Sequence, residues 1–236
     1  MSTLFISDLH LEADRPEIGE QFVEFLEGEA RESDALYILG DLFESWVGDD
    51  DPNPYYAAMK AALRSLTESG QTVYFMHGNR DFAIGEQFAT ETGINLLPDP
   101  YRIDLYGTQV LLAHGDAYCT DDIEYQQARA MRCNPEWLQM MLAKPLEERI
   151  AFAQHARQQS MARGDVPEEI MDVNDDAIKS AIEEAGVDVL LHGHTHRPAI
   201  HEVDLGDRSA NRIVLGDWYE QGSVLRWTDS GPSLDV

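Results

Sequence analysis

The chain has 236 residues, and 43% of them are hydrophobic, which is enough for the core of one large domain or of a domain with an insertion. Its 44 acidic and 17 basic residues give a formal net charge of −27. Because such a surface repels nucleic acid at long range, we do not expect a nucleic-acid partner.

The composition also bears on the protein's surroundings. No apolar run approaches the roughly 18 residues of a transmembrane helix, and no signal peptide precedes the first strand, so we expect a cytoplasmic protein. Two cysteines, Cys119 and Cys133, fit a reducing compartment better than a disulfide framework. Only three lysines are present, as is typical of salt-loving organisms, which predicts a need for high salt. The alternative is an ordinarily acidic bacterial protein.

Short apolar runs alternate with helical patterns along the chain. The five predicted strands are 4–7, 35–39, 72–76, 109–113 and 187–191. The predicted helices are 16–32, 56–66, 86–92 and 175–184. A hairpin is predicted between 101–105 and 109–113, and 213–217 and 223–227 are predicted to be antiparallel strands. Strands that alternate with helices predict an α/β fold, and the later hairpins indicate mixed sheets.

The interval between His114 and Gly193 is too long for one connection. It spans 79 positions, whereas a strand-helix-strand unit takes roughly 30 residues. We therefore predict a core of 1–120 and 173–236 with a helical cap insertion at 121–172. With six basic and ten acidic residues, this insertion is the least negative part of the chain, which suits a cap over an anionic substrate. A stripe of Met and aromatic residues at 137–152 is usually the core of its own subdomain, although methionine-rich surfaces also suit contact with flexible apolar chains.

Polar motifs directly follow all five strands. They are Asp8-x-His10, Gly40-Asp41, Gly78-Asn79-Arg80-Asp81, His114-Gly115-Asp116 and Gly193-His194-Thr195-His196. Ligands of open α/β sheets bind beyond the carboxyl ends of the strands, so we expect these side chains to converge. Gly193 is expected to permit the unusual backbone dihedrals of a sharp turn. Together, carboxylates, imidazoles and an amide oxygen can hold two divalent metals about 3.5–4 Å apart.

In its order and spacing, this motif set resembles the calcineurin-like metallophosphoesterase superfamily over nearly the whole chain. The resemblance implies mixed β-sheets layered with helices and a centre of two metal ions bridged by Asp41. One ion would be held by Asp8, His10, Asp41 and His196. The other would be held by Asp41, Asn79, His114 and His194.

A second set of motifs is similar to one group in that superfamily, the UDP-2,3-diacylglucosamine hydrolases. These motifs are residues 8–11, 40–44, 119–122, 170–174 and 193–198. The resemblance implies Mn²⁺-dependent cleavage of the pyrophosphate of UDP-2,3-diacylglucosamine, giving UMP and 2,3-diacylglucosamine 1-phosphate (lipid X) in lipid A biosynthesis. It also implies peripheral attachment to the cytoplasmic face of the inner membrane and a helical cap that receives the acyl chains. No obligate protein partner is inferred.

The resemblance also assigns roles to residues of the site. The implied catalytic residues are Asp41, Asn79, Arg80 and His114. The implied substrate contacts are Asn79, Arg80, Asp122, Ser160 and His194. Arg80 would stabilise charge that develops on the phosphorus oxygens, and Asp81 and Asp116 would orient imidazoles or close loops. The family's usual Asn and Lys beyond Ser160 are missing from 163–167, so the cap's polar contacts must differ.

Other polar residues are interpreted as structural. Asp217 follows a predicted strand and is read as part of a turn. Four arginines of the insertion could simply be solvated helix faces: Arg129, Arg132, Arg149 and Arg157.

Two other functions remain open. The chain could be a general metallophosphoesterase that acts on nucleotides or simple diesters, although the insertion and the motifs at 119–122 and 170–174 favour the specialised enzyme. It could also be a non-catalytic scaffold of the same fold. A scaffold should have lost ligands or the phosphate-facing arginine, and here all seven ligands and Arg80 are present.

Overall fold

A computed structural model of the protein describes residues 2–162, 168–219 and 222–235, without the side chains of residues 160–162, 168 and 169. The strands are β1 (Thr3–Ile6), β2 (Ala35–Ile38), β3 (Val73–Met76), β4 (Asn95–Leu97), β5 (Tyr101–Leu105), β6 (Thr108–Ala113), β7 (Val189–His192), β8 (Ala199–Asp204), β9 (Ser209–Val214), β10 (Val224–Thr228) and β11 (Gly231–Asp235). The helices are α1 (Pro16–Glu27), α2 (Pro54–Glu68), α3 (Glu86–Thr92), α4 (Ile123–Arg132), α5 (Pro135–Leu142), α6 (Leu146–Ala162), α7 (Glu168–Met171) and α8 (Asp175–Ala185). Two 3₁₀ turns cover Glu29–Glu32 and Asp116–Tyr118.

The strands form two mixed sheets. The first has the order β11-β10-β1-β2-β3-β4, and the second has the order β5-β6-β7-β9-β8. In the first sheet β1 to β4 are parallel, while β10 and β11 are antiparallel to their neighbours. In the second sheet β6, β7 and β9 are parallel, with antiparallel partners at both edges. The prediction of mixed sheets layered with helices is therefore confirmed.

Alternation along the strands distributes the core over three layers. Phe5 of β1 packs between the sheets against residues such as Val110 and Leu191, whereas Leu4 and Ile6 point to the other face. Helices α1, α2 and α3 cover that other face of the first sheet. Helix α8 covers the outer face of the second sheet. Because successive strand residues point to opposite faces, the apolar runs can serve both layers at once.

The structure differs from the predicted elements near the end of the chain. The predicted strands 213–217 and 223–227 correspond to β9 and β10, but they lie in different sheets and do not pair with each other. Strand β8 was not predicted, because most of its side chains are exposed at a sheet edge and it has no apolar run. Strand β11 escaped prediction for a similar reason, since it begins with Gly-Pro and is largely exposed.

Helices α4 to α7 occupy the segment for which a helical cap is predicted. These helices bury few side chains: α4 buries none and α5 buries Met141. Their apolar residues therefore do not form a subdomain core of the usual kind. Within the described ranges, no helix is long and apolar enough to span a membrane.

Candidate metal centre

Most of the ligand-type residues lie in backbone turns that L-amino acids rarely adopt. In the described part of the chain, six non-glycine residues have a positive φ. Five of these, with φ between 52° and 69°, are Asp8, His10, Asp41, His194 and His196. Left-handed backbone at a non-glycine residue costs free energy and persists only where the surroundings fix it. The concentration of this costly backbone conformation at five candidate ligands indicates a functional site.

Two glycines of the motifs are required because side chains of neighbouring loops lie too close to leave room for a Cβ atom. A Cβ at Gly193 would collide with the side chains of Ser7 and Asp8, and a Cβ at Gly78 would collide with Asp41. Gly193 is not among the residues with positive φ, so the prediction that it serves unusual turn dihedrals is wrong. Its physical role is to let the loop after β7 pack directly on the loop after β1.

The first group of potential ligands is Asp8, His10 and His196, whose ligand atoms lie within 4.8 Å of one another. The Nε2 atoms of His10 and His196 face each other at 3.3 Å. On the opposite side of each ring, Nδ1 meets a carboxylate: Glu44 lies 2.8 Å from His10, and Asp217 lies 3.1 Å from His196. When a metal ion displaces the second proton of such a ring, a carboxylate at Nδ1 keeps the remaining proton there and leaves the lone pair of Nε2 for the metal.

The second group is Asp41, His114 and His194, also within 4.8 Å of one another. Nδ1 of His114 lies 2.9 Å from the Leu39 carbonyl oxygen, to which it can donate, and its Nε2 lies 3.1 Å from Oδ1 of Asn79. The structure thus brings the amide oxygen of Asn79 to this group, as the sequence predicted.

Asp41 lies between the two groups. Its Oδ2 is 3.8 Å from Nε2 of His10, and its Oδ1 is 3.8 Å from Nε2 of His114. Its Oδ1 also accepts a hydrogen bond of 2.8 Å from the backbone N–H of Arg80. This position is the one that a bridging carboxylate requires.

The donor set fits two divalent cations. Nε2 of His196 lies 3.4 Å from the buried Oδ1 of Asp8 and 3.3 Å from Nε2 of His10, so three potential ligand atoms converge where a positive charge can be shared. Imidazole nitrogens with carboxylate and amide oxygens are ligands for transition-metal ions. The seven predicted ligands therefore lie together, in two groups of suitable chemistry.

Ionisation reflects this concentration of charge. Burial by itself lowers the pKa of His196, but its contacts with Asp217 and Asp8 raise that pKa to about 10. Burial also opposes protonation of His114, yet the charges of Asp41, Asp116 and Asp8 raise its pKa to about 9. Burial raises the pKa of Asp8, but the hydrogen bond and the charge of His196 outweigh it and leave the pKa well below its usual value. Without metal, protons stabilise this cluster of carboxylates.

Further acidic residues support the loops. Asp81 is buried and accepts backbone hydrogen bonds from Gly78 at 2.8 Å and from Leu42 at 2.7 Å, which closes the loops after β3 and β2 as predicted. Asp116 does not orient an imidazole directly; it accepts hydrogen bonds from Tyr125 and Arg132.

Two residues beside the histidines were missed. The reading of Asp217 as only a turn is wrong, since it contacts His196, and Glu44 had no assigned role although it lies in the quoted motif at 40–44. The sequence did contain a signal for Asp217. This residue stands at the end of the apolar run 213–217, just as the candidate ligands stand at the ends of the other apolar runs.

The backbone N–H of Arg80 contacts Asp41, while its partly exposed guanidinium lies 3.7 Å from Oε1 of Glu44. Its Nε is buried and has no acceptor among the described residues. Asp122, a predicted substrate contact, caps α4, where its Oδ1 accepts the N–H of Tyr125 at 3.0 Å, and it is not among the described residues that line the cavity next to the centre. The side chain of Ser160 and the segment 163–167 lie outside the described residues.

A cavity of about 600 Å³ adjoins Asn79 and Arg80. Most of the predicted apolar stripe lines it: Trp137, Leu138, Met141, Leu142, Ile150 and Phe152. Core residues Trp46 and Phe82 form part of the opposite wall. The stripe thus faces a space that it shares with residues of the preceding segments, including Asn79 of the candidate metal centre.

The four arginines of the insertion all pair with carboxylates of the rest of the chain, so the reading as solvated helix faces is wrong for Arg129, Arg132 and Arg149, while the side chain of Arg157 remains 43% exposed. Arg129 and Arg132 reach Asp116 at 3.1 Å and 2.5 Å. Arg149 pairs with Asp50 at 2.5 Å, and Arg157 reaches Glu12 at 3.0 Å. In a chain with net charge −27, carboxylates outside the insertion attract the few cations that the insertion carries.

Comparison with known proteins identifies the family. The sequence model described as calcineurin-like phosphoesterase matches residues 1–198. Proteins named UDP-2,3-diacylglucosamine hydrolase from Stenotrophomonas maltophilia (strain K279a) and Xanthomonas oryzae pv. oryzae (strain PXO99A) are 54% and 52% identical to the chain, and each alignment covers 100% of this chain and 98% of the relative. The chain belongs to the UDP-2,3-diacylglucosamine hydrolase family. The family predicted from the motifs is confirmed, and the chain is a hydrolase of the calcineurin-like phosphoesterases.

Solved structures of more distant proteins are also similar. One, titled as a novel archaeal phosphodiesterase, is 13% identical, with a TM-score of 0.49 over 100% of both chains. The Vacuolar Protein Sorting 29 protein of Cryptosporidium parvum is also 13% identical, with a TM-score of 0.49 over 99% of this chain and 95% of that chain.

Proposed function

We propose that this chain hydrolyses the pyrophosphate bond of UDP-2,3-diacylglucosamine to UMP and lipid X, with two Mn²⁺ ions, at the cytoplasmic face of the inner membrane. The observation that carries the proposal is the apolar cavity beside Arg80 and Asn79, which adjoins a centre suited to two cations. A substrate with a diphosphate at one end and two acyl chains at the other matches that arrangement. The names of the relatives, at 52–54% identity over the whole chain, support the same substrate.

The chain's own residues bind and orient the reacting groups. Asp8, His10 and His196 would hold one ion, and His114, His194 and Asn79 the other, with Asp41 shared. When bound, two divalent ions lower the pKa of a water molecule and polarise a phosphate oxygen. The buried Nε of Arg80 would donate to a phosphate oxygen and stabilise the charge that grows on it during attack. Burial of the centre limits the screening of these charges by water.

We further propose that residues 121–172 act as the cap and that the acyl chains enter the cavity beneath it. Large apolar side chains remain exposed on this segment: Ile123, Met131, Met140, Leu142, Phe152, Ile170 and Met171. Such side chains can contact the hydrocarbon boundary of a membrane in which the lipid substrate resides. Peripheral attachment would let the acyl chains pass from the bilayer into the cavity.

The test is a product assay on UDP-2,3-diacylglucosamine with metal-stripped protein that is given Mn²⁺, at low and at molar salt. Release of UMP that requires both Mn²⁺ and Asp41, with Asp41→Ala as the variant, is the expected result. No UMP at any salt, with Mn²⁺-dependent cleavage of a simple phosphodiester, would instead establish a general phosphoesterase. Absence of both activities from a folded, Mn²⁺-binding protein would favour the scaffold.

A further inference from the structure

Glu44 contacts three groups that come from different parts of the site. Its Oε2 lies 2.8 Å from Nδ1 of His10. Its Oε1 lies 3.1 Å from Nε of Arg157 and 3.7 Å from Nη1 of Arg80. The carboxylate is buried, and a buried carboxylate is costly unless positive or hydrogen-bonding groups surround it. These three groups surround it.

We infer that Glu44 is a positioning residue that fixes His10, Arg80 and Arg157 relative to one another and so joins the cap to the metal centre. The part that concerns Arg80 and Arg157 rests on the proposed function. The part that concerns His10 does not, because metal binding can be measured without turnover.

The backbone explains how Glu44 reaches His10. The loops after β1 and β2 run side by side, with hydrogen bonds from His10 N–H to Asp41 O at 3.0 Å and from Glu44 N–H to Leu11 O at 3.2 Å. The carboxylate then lies on the ring nitrogen that points away from His196. A carboxylate at this nitrogen fixes the ring orientation and makes the imidazole a stronger ligand.

Arg157 brings the cap to the same carboxylate. It lies on α6 and also pairs with Glu12, and both glutamates line the cavity. Arg157 and Arg80 thus share one carboxylate of the core. Because each guanidinium has five N–H donors, each arginine keeps donors for an anionic substrate while Glu44 sets its place.

Two variants separate these contacts. Glu44→Gln and Glu12→Gln remove the same charge, and both remove a partner of Arg157, but only Glu44 touches His10 and Arg80. Mn²⁺ binding to the metal-stripped protein is measured by calorimetry, and kcat and KM are measured on UDP-2,3-diacylglucosamine. We expect Glu44→Gln to weaken Mn²⁺ binding by about 10- to 100-fold and to lower kcat. Glu12→Gln should leave Mn²⁺ binding unchanged and raise KM only.

Wild-type Mn²⁺ binding and kcat in Glu44→Gln would overturn the inference, and so would an equal loss of Mn²⁺ binding in Glu12→Gln. If circular dichroism shows that Glu44→Gln is unfolded, Glu44→Asp takes its place, because it keeps the charge but shortens the reach by one methylene. Arg157→Gln tests the cap separately: KM should rise without a change in Mn²⁺ binding, and an unchanged KM contradicts this part. If the wild type binds Mn²⁺ but releases no UMP, the proposed function fails, and the Mn²⁺ titration still decides the role of Glu44 at His10.

Discussion

Nδ1 of His196 lies 3.1 Å from Oδ2 of Asp217, a residue of the loop that follows β9. The contact fixes the imidazole so that Nε2 faces His10. The ring of Tyr219 adds to this from the solvent side, since its centroid lies 5.7 Å from the ring centroids of both His10 and His196. The loop thus orients one side of the metal centre although it contributes no predicted ligand.

Replacement of this carboxylate should weaken the centre without unfolding the protein. We expect Asp217→Asn to reduce Mn²⁺ affinity by about tenfold, because the imidazole loses the group that orients it. Calorimetric titration of metal-stripped protein measures this. Asp207→Asn, in an exposed turn, removes the same charge and should bind Mn²⁺ like the wild type.

Metal binding should depend on pH with a definite sign. The pKa of His114 is raised to about 9 and that of His196 to about 10, so both rings are doubly protonated and positively charged at neutral pH in the metal-free protein. Their contribution to stability is complete below the ordinary pKa of 6.5 and is lost as the pH rises through about 9 to 10. Because Mn²⁺ must displace these protons, its affinity should rise by at least about tenfold per pH unit between about pH 6.5 and 8.5. A flat profile over this range would contradict the assignment of the two rings as ligands.

The cavity predicts a substrate-selective defect. Ala153 on α6 lines the cavity, so Ala153→Trp should fill part of it and lower kcat/KM for UDP-2,3-diacylglucosamine by about tenfold or more. Cleavage of bis-p-nitrophenyl phosphate, which has no acyl chain, should change little. Ala151→Trp is the matched control, because Ala151 is exposed on the same helix. Equal losses on both substrates would show that the apolar cavity does not hold the acyl chains.

The charge of the chain predicts a dependence on salt. With a net charge of −27, repulsion between carboxylates opposes the folded state at low ionic strength. The Debye length falls from about 10 Å at 0.1 M salt to about 3 Å at 1 M, so Tm should rise steeply over this range and then level off. A thermal melt in KCl, compared with sucrose at equal osmolarity, separates screening from general solute effects. A Tm indifferent to KCl would favour an ordinarily acidic protein.

The sequence by itself determined the strands that carry the candidate ligands, and it predicted which residues these are. Apolar runs such as 4–7 and 187–191 are short and dense enough to be read as buried strands, and each ends on a motif of carboxylate or imidazole residues. Helix α3 has the predicted bounds 86–92, since Gly93 ends it with a positive φ of 75°. These signals are local, and a local signal can be read without knowing which segments meet.

Only the tertiary structure decided which residues support the ligands. Glu44 contacts the ring of His10, and Asp217 contacts the ring of His196, although the partners are distant in sequence. Arg157 reaches Glu44, 113 positions away in sequence, only because α6 folds back over that part of the chain. The division of the strands between two sheets likewise depends on pairing at the edges, where β8 and β11 carry little apolar pattern. Side-chain direction and contacts between distant segments are set by tertiary packing, which cannot be predicted from the hydrophobic periodicity of any one segment.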